Sequence, residues 1–133
     1  MSTVSRGVED SFTVDERTTL GVTATGAANA AVTATLPAVS GQFHHITSIV
    51  IQRAAAGALV GTAALNITST NLPGDLAWSV GNGMAAGGSV TDLNYAPAVP
   101  LRSTVATVAT TIVCPAPGLG VLWRVTVTYY TAA

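Results

Sequence analysis

Apolar and polar residues alternate with a period of two over much of this chain. The pattern is clearest near the C-terminus. There Val121, Trp123, Val125, Val127 and Tyr129 share one side, and Leu122, Arg124, Thr126, Thr128 and Tyr130 share the other. Period two carried by β-branched and aromatic residues specifies a strand. A second such run covers residues 104–114, with Val105, Thr107, Ala109, Thr111 and Val113 on one face. The Pro- and Gly-rich residues 115–120 turn the chain between these two runs. Residues 43–53 predict a third strand, with Ile46, Ile49, Val50 and Ile51 covering both faces. Ala63, Leu65 and Ile67 alternate with Ala64, Asn66 and Thr68, and residues 29–36 alternate Ala and Val with Thr more weakly. The sequence Val22-Thr-Ala-Thr25 recurs as Val32-Thr-Ala-Thr35, which fits two neighbouring strands.

Turn signals separate the runs: residues 37–41, 71–74, 81–83 and 87–88. Residues 54–64 are Ala-rich, but Gly57 and Gly61 each cost about 1 kcal/mol against Ala in a helix. They read as a loop with at most one helical turn. Short strands punctuated every ten or so residues predict an all-β, single-domain antiparallel sandwich of about eight strands.

Composition narrows the class. The chain has 133 residues, of which 49% are hydrophobic and 8% charged, against about 25% charged in ordinary soluble domains. It has twenty Thr and no Lys. Disordered chains and coiled coils are excluded, since the first need low hydrophobicity and the second many Glu, Lys and Leu. A net charge of −1 with five scattered Arg argues against a nucleic-acid partner, because phosphate neutralisation needs clustered cations. Apolar runs are broken before the ~20 residues a membrane span needs. One cysteine, Cys114, forms no intrachain disulfide, and the first residues lack the apolar core of a signal peptide. Synthesis in a reducing cytoplasm, without an anchor, is expected.

The charges are placed unevenly. Arg6, Glu9, Asp10, Asp15, Glu16 and Arg17 lie in the first seventeen residues, and the remaining 116 hold Arg53, Asp75, Asp92, Arg102 and Arg124. This shift predicts an extended N-terminal arm over residues 1–20, ordered against a neighbour, and a body over residues 21–133.

Candidate chemistry is sparse. Adjacent His44 and His45 point to opposite faces of a strand, so they do not converge on one metal. They are read as strand-end or interface residues. Cys114 precedes Pro115 with no cation nearby to lower its pKa, and is read as a buried hydrophobe. Asp75 and Asp92 are the carboxylates of the body, both read in loops, and no serine lies in a nucleophile elbow. No enzyme activity, metal or cofactor is expected. Trp78 and Tyr95, near predicted loops, keep a sugar-binding surface open. A weakly charged surface of Ala, Val and Thr is a poor one for a free monomer and a good one for an assembly.

The run Thr33-Ala-Thr-Leu-Pro-Ala-Val-Ser-Gly41, followed by Gln42-Phe-His-His-Ile-Thr-Ser-Ile-Val50, resembles small β-sandwich proteins of tailed-phage virions. There an LPA-x-x-G turn leads into a strand holding aromatic or His residues and Ile-Thr. Gly118-Leu-Gly120 leading into Trp123-Arg-Val-Thr-Val-Thr128 is similar to their last strand. The resemblance spans roughly residues 30–130. It implies a jelly-roll fold, a homotrimer and a capsid decoration or cement protein on the outer surface of a phage head, contacting the major capsid protein. Related jelly rolls serve as head fibres or tail adhesins, so a module binding a host-surface glycan is the alternative. The interface candidates are Arg6, Glu9, Asp10, Asp15, Glu16, Arg17, His44, His45, Trp78 and Tyr95.

Overall fold

The computed structural model describes residues 18–57, 64–81 and 87–133. The six charged residues of the expected arm, part of the 54–64 loop, Ala63 and most of the 81–83 turn lie outside the described residues. The described residues form nine strands and one 3-10 turn. The strands are β1 (Leu20–Thr25), β2 (Val32–Leu36), β3 (Phe43–Ala55), β4 (Leu65–Thr70), β5 (Trp78–Val80), β6 (Gly87–Asn94), β7 (Leu101–Arg102), β8 (Thr110–Cys114) and β9 (Val121–Ala132); the 3-10 turn is Pro73–Asp75. Leu20, placed by sequence at the end of the arm, is the first residue of β1.

One sheet has the order β1-β9-β3-β6, with β7 also paired to β3, and the other has the order β2-β8-β4-β5. Every pairing is antiparallel. β6 pairs with residues 48–55 of β3 and β7 with His45 and Ile46, so β7 prolongs the strand position that β6 occupies. Counted by position there are eight strands, four in each sheet. This interleaved order is that of a jelly roll, two Greek keys wound into a sandwich. The all-β sandwich expected from turn spacing is the observed architecture.

The inner faces of the two sheets make one core. β9 contributes Val121, Trp123, Val125, Val127 and Tyr129, all buried, as its alternation predicts. Facing them are Val32, Ala34 and Leu36 of β2, Ile67 of β4, and Ile112 and Cys114 of β8. Trp123 is fully buried, and its indole N–H donates to the Pro115 carbonyl at 2.8 Å. That bond satisfies the one polar atom of the largest core side chain.

Several readings of the sequence are corrected; residues 87–88 and Asp92, read as turn and loop, lie in β6. Residues 104–114 are not one strand: only Thr110–Cys114 is extended. Residues 103–109 form a loop in which Thr107 adopts φ 65°, a left-handed conformation that ends strand pairing. β3 does not bury both faces equally. The register against β9 shifts between Ile46 and Ser48, a β-bulge at Thr47 that resets the alternation. His44 and Ile46 face inward before it, and Ile49, Ile51 and Arg53 after it. Finally, the two Val-Thr-Ala-Thr segments are not neighbours in one sheet. β1 pairs with β9 and β2 with β8. The Gly26 turn carries the chain from one sheet to the other, and a Cβ there would overlap Cγ2 of Val32.

Candidate functional site

The structure separates the groups that chemistry would need together. His44 faces the core and is 1% exposed. Its Nε2 lies 2.8 Å from the Pro37 carbonyl and its Nδ1 2.7 Å from the Thr110 hydroxyl. A carbonyl only accepts, so Nε2 donates to Pro37, while the Thr110 hydroxyl, able to donate or accept, pairs with Nδ1. The backbone N–H of His44 donates to Ser103 Oγ, and the ring meets Tyr129 edge-on at 5.5 Å. His45 points outward and stacks on Tyr130, with ring centroids 4.8 Å apart and planes 4° from parallel. The two imidazoles thus take opposite faces, as period two requires. No group of three or more His, Cys, Asp or Glu side chains is placed to hold a metal among the described residues.

Asp75 sits in the 3-10 turn beside the second sheet, while Asp92 lies on β6 of the first sheet, where Asn94 Nδ2 donates to it at 3.0 Å. They form no acid pair. Cys114 is fully buried, and burial pushes its thiol pKa up to about 11, so at neutral pH it is a thiol and a poor nucleophile. Tyr129 is raised from its usual value by the same cause. Arg53, which the sequence did not single out, is 3% exposed with its guanidinium 5.8 Å from the Trp123 ring. Burial lowers its pKa from the usual value.

The aromatic side chains are each partly covered. Trp78 is half-buried and packs against the core. Phe43 lies under the Arg102 guanidinium at 4.6 Å, and His45 and Tyr130 cover each other. Tyr95 is half-buried just after β6, its N–H donating to the Thr47 carbonyl.

What the fold does present is two sheet faces turned away from the core. On β2-β8-β4-β5 the outward residues are Thr33 and Thr35, Thr111 and Val113, Asn66, Thr68 and Thr70, and Ser79. None is charged. Thr70 and Thr111 hydroxyls meet at 2.7 Å, and Ser79 Oγ donates to Asn66 Oδ1 at 2.9 Å. On β1-β9-β3-β6 the outward residues include Thr23, Thr25, Thr126, Thr128, Val50 and Gln52, with Arg124 and Asp92 among them and Arg102 at the β7 end.

Loops at one end are rigidly joined. Asn71 Nδ2 donates to the carbonyls of Val105 and Val108, its Oδ1 accepts the Val105 N–H, and Nδ2 also reaches Thr110 Oγ1 at 3.3 Å. Thr107 exchanges bonds with Gly41 and Gln42. Val39, Val105 and Val108 stand exposed on these loops.

No family model matches the chain, and no curated protein matches it. Among solved structures, the chain is similar to a cryo-EM structure of a virus-like particle of extra small virus from the giant freshwater prawn Macrobrachium rosenbergii. The match covers 89% of this chain and 81% of that one, at 16% identity and a TM-score of 0.38.

Proposed function

We propose that this chain is a structural virion protein, a decoration or cement protein that binds the outside of a phage head as a homotrimer and joins neighbouring major-capsid-protein subunits. The observation that carries this reading is the charge-free outer face of the sheet β2-β8-β4-β5. Its described outward residues are Thr, Asn and Ser together with Val113, and none is Lys, Arg, Asp or Glu. Such a face costs less to desolvate than a charged one, its hydroxyls and amides needing hydrogen-bond partners in the interface but no counter-ion. It is suited to permanent cover by another protein surface. The jelly roll and the motif resemblance over residues 30–130 support the same reading. A cyclic trimer repeats one contact three times and closes, so each chain is covered symmetrically. The role is mechanical: buried area between subunits opposes shell expansion without any bond being made or broken.

Electron microscopy of the purified particle tests it. The account expects this chain on the outer surface at threefold or quasi-threefold positions. Density inside the shell, or on the tail alone, would overturn it.

A further inference from the structure

At one end of the sheet β1-β9-β3-β6 the outward face is hollowed. Ala54 and Gly88, paired across β3 and β6, supply no bulk, and Gln52, Val90, Leu122 and Arg124 stand around them. The groove has a volume of about 290 Å³. Val90 is 61% and Leu122 38% exposed, so its walls are apolar and open to solvent. The charged side chain standing on this face of the groove, Arg124, is cationic. Arg124 has Thr25 Oγ1 as a partner at 3.4 Å. Arg53 borders the groove along β3, but its guanidinium is turned inward over the Trp123 ring.

The body has few acids to set against Arg124. Residues 18–133 contain two carboxylate side chains, Asp75 and Asp92. The first is in the 3-10 turn of the other sheet, and the second is held by Asn94. Residues 1–17 are the reverse. They carry Glu9, Asp10, Asp15 and Glu16 against Arg6 and Arg17, and their apolar residues Phe12 and Val14 lie between the two acidic pairs. Their formal charge is opposite in sign to that of the body.

We propose that the groove is the docking site of the N-terminal segment of this chain, with Phe12 over Ala54 and Gly88 and carboxylates of Glu9, Asp10, Asp15 or Glu16 on the guanidinium of Arg124. Reach allows it. β1 begins at Leu20 opposite Tyr129, and Thr25 stands opposite Arg124, so the groove lies roughly 17 Å along the sheet from the start of β1. The eight residue steps from Phe12 to Leu20 span about 27 Å when extended. The inference goes beyond the capsid reading and does not depend on it.

The test uses the full chain carrying Phe12→Cys and Ala54→Cys under mild oxidation, with buried Cys114 left in place. The expected result is a disulfide between the two positions, within one chain or as a dimer on a non-reducing gel, and the band identifies which copy supplies the segment. A control pairs Phe12→Cys with Thr33→Cys on the opposite sheet. Crosslinking no greater than in that control overturns the proposal. Arg124→Glu is expected to cut the crosslink yield severalfold, and adding Asp15→Arg and Glu16→Arg to restore it. Yield indifferent to both changes also overturns it. Because no capsid is present, failure here is distinct from failure of the protein to bind particles.

Discussion

At the scale of single residues, His44 shows how a tempting ligand becomes a structural tie. Its ring joins the turn before β3, through Pro37, to the start of β8, through Thr110. Replacing it with Leu keeps the volume but removes the ring's bonds to the Pro37 carbonyl and the Thr110 hydroxyl. His44→Leu is expected to lower stability by about 2–3 kcal/mol, seen as a lower urea midpoint with an unchanged slope. The paired histidines were legible in sequence as facing opposite ways, since that follows from the pleat alone. The inward burial of Arg53 was not, because it depends on the Thr47 bulge, which no period-two count contains.

Cys114 gives a pH-dependent prediction. Its folded pKa, about 11, lies above the usual value of 9.0. As pH rises the unfolded chain releases the thiol proton first, so the native state holds more protons. The stability it contributes is complete below about pH 9 and is lost as pH climbs from there toward about 11. Tyr129, also raised by burial, acts in the same direction at high pH. Chemical denaturation across pH 8–11 is expected to show a shallower fall for Cys114→Val than for the wild type. Equal slopes would mean that the thiol titrates freely.

At the scale of elements, the strands most legible in sequence are those whose partners on one side are core and on the other solvent. β9 is read correctly because every second residue from Val121 to Tyr129 enters the core. The 104–114 run misleads because residues 103–109 alternate without pairing in a sheet. Their backbone bonds go instead to Asn71, Gln42 and His44. Asn71 itself has φ 57°, which Asn tolerates better than most residues. Asn71→Ala therefore loses the side-chain bonds to this loop and strains the backbone at once. A cost of about 2–4 kcal/mol is expected, together with loss of hydrogen-exchange protection at the Thr104, Val105 and Thr107 amides. Protection that survives would show that Gln42 and packing hold the loop without Asn71.

At the scale of the whole molecule, the fold was legible and the site only as a deficiency of charge. Turn spacing and period two specify a sandwich because each short strand must find antiparallel neighbours. No catalytic or metal-binding constellation was legible, and His44, Asp75, Asp92 and Cys114 are placed apart. The outward Thr rows could not be assigned to one face before the register was known. The proposed trimer predicts that the isolated chain sediments at three times its monomer mass at micromolar concentration. A monomer under those conditions would remove the threefold contact from the account.

The central claim is that the protein reinforces a shell by covering it, and the thermal stability of particles tests it most directly. Heads bearing the protein and heads stripped of it are heated in parallel, with genome release followed by a DNA-binding dye. The account predicts that decorated heads burst at a distinctly higher temperature and that adding the purified protein back restores the difference. Equal burst temperatures, with the protein verified on the particles, would contradict it.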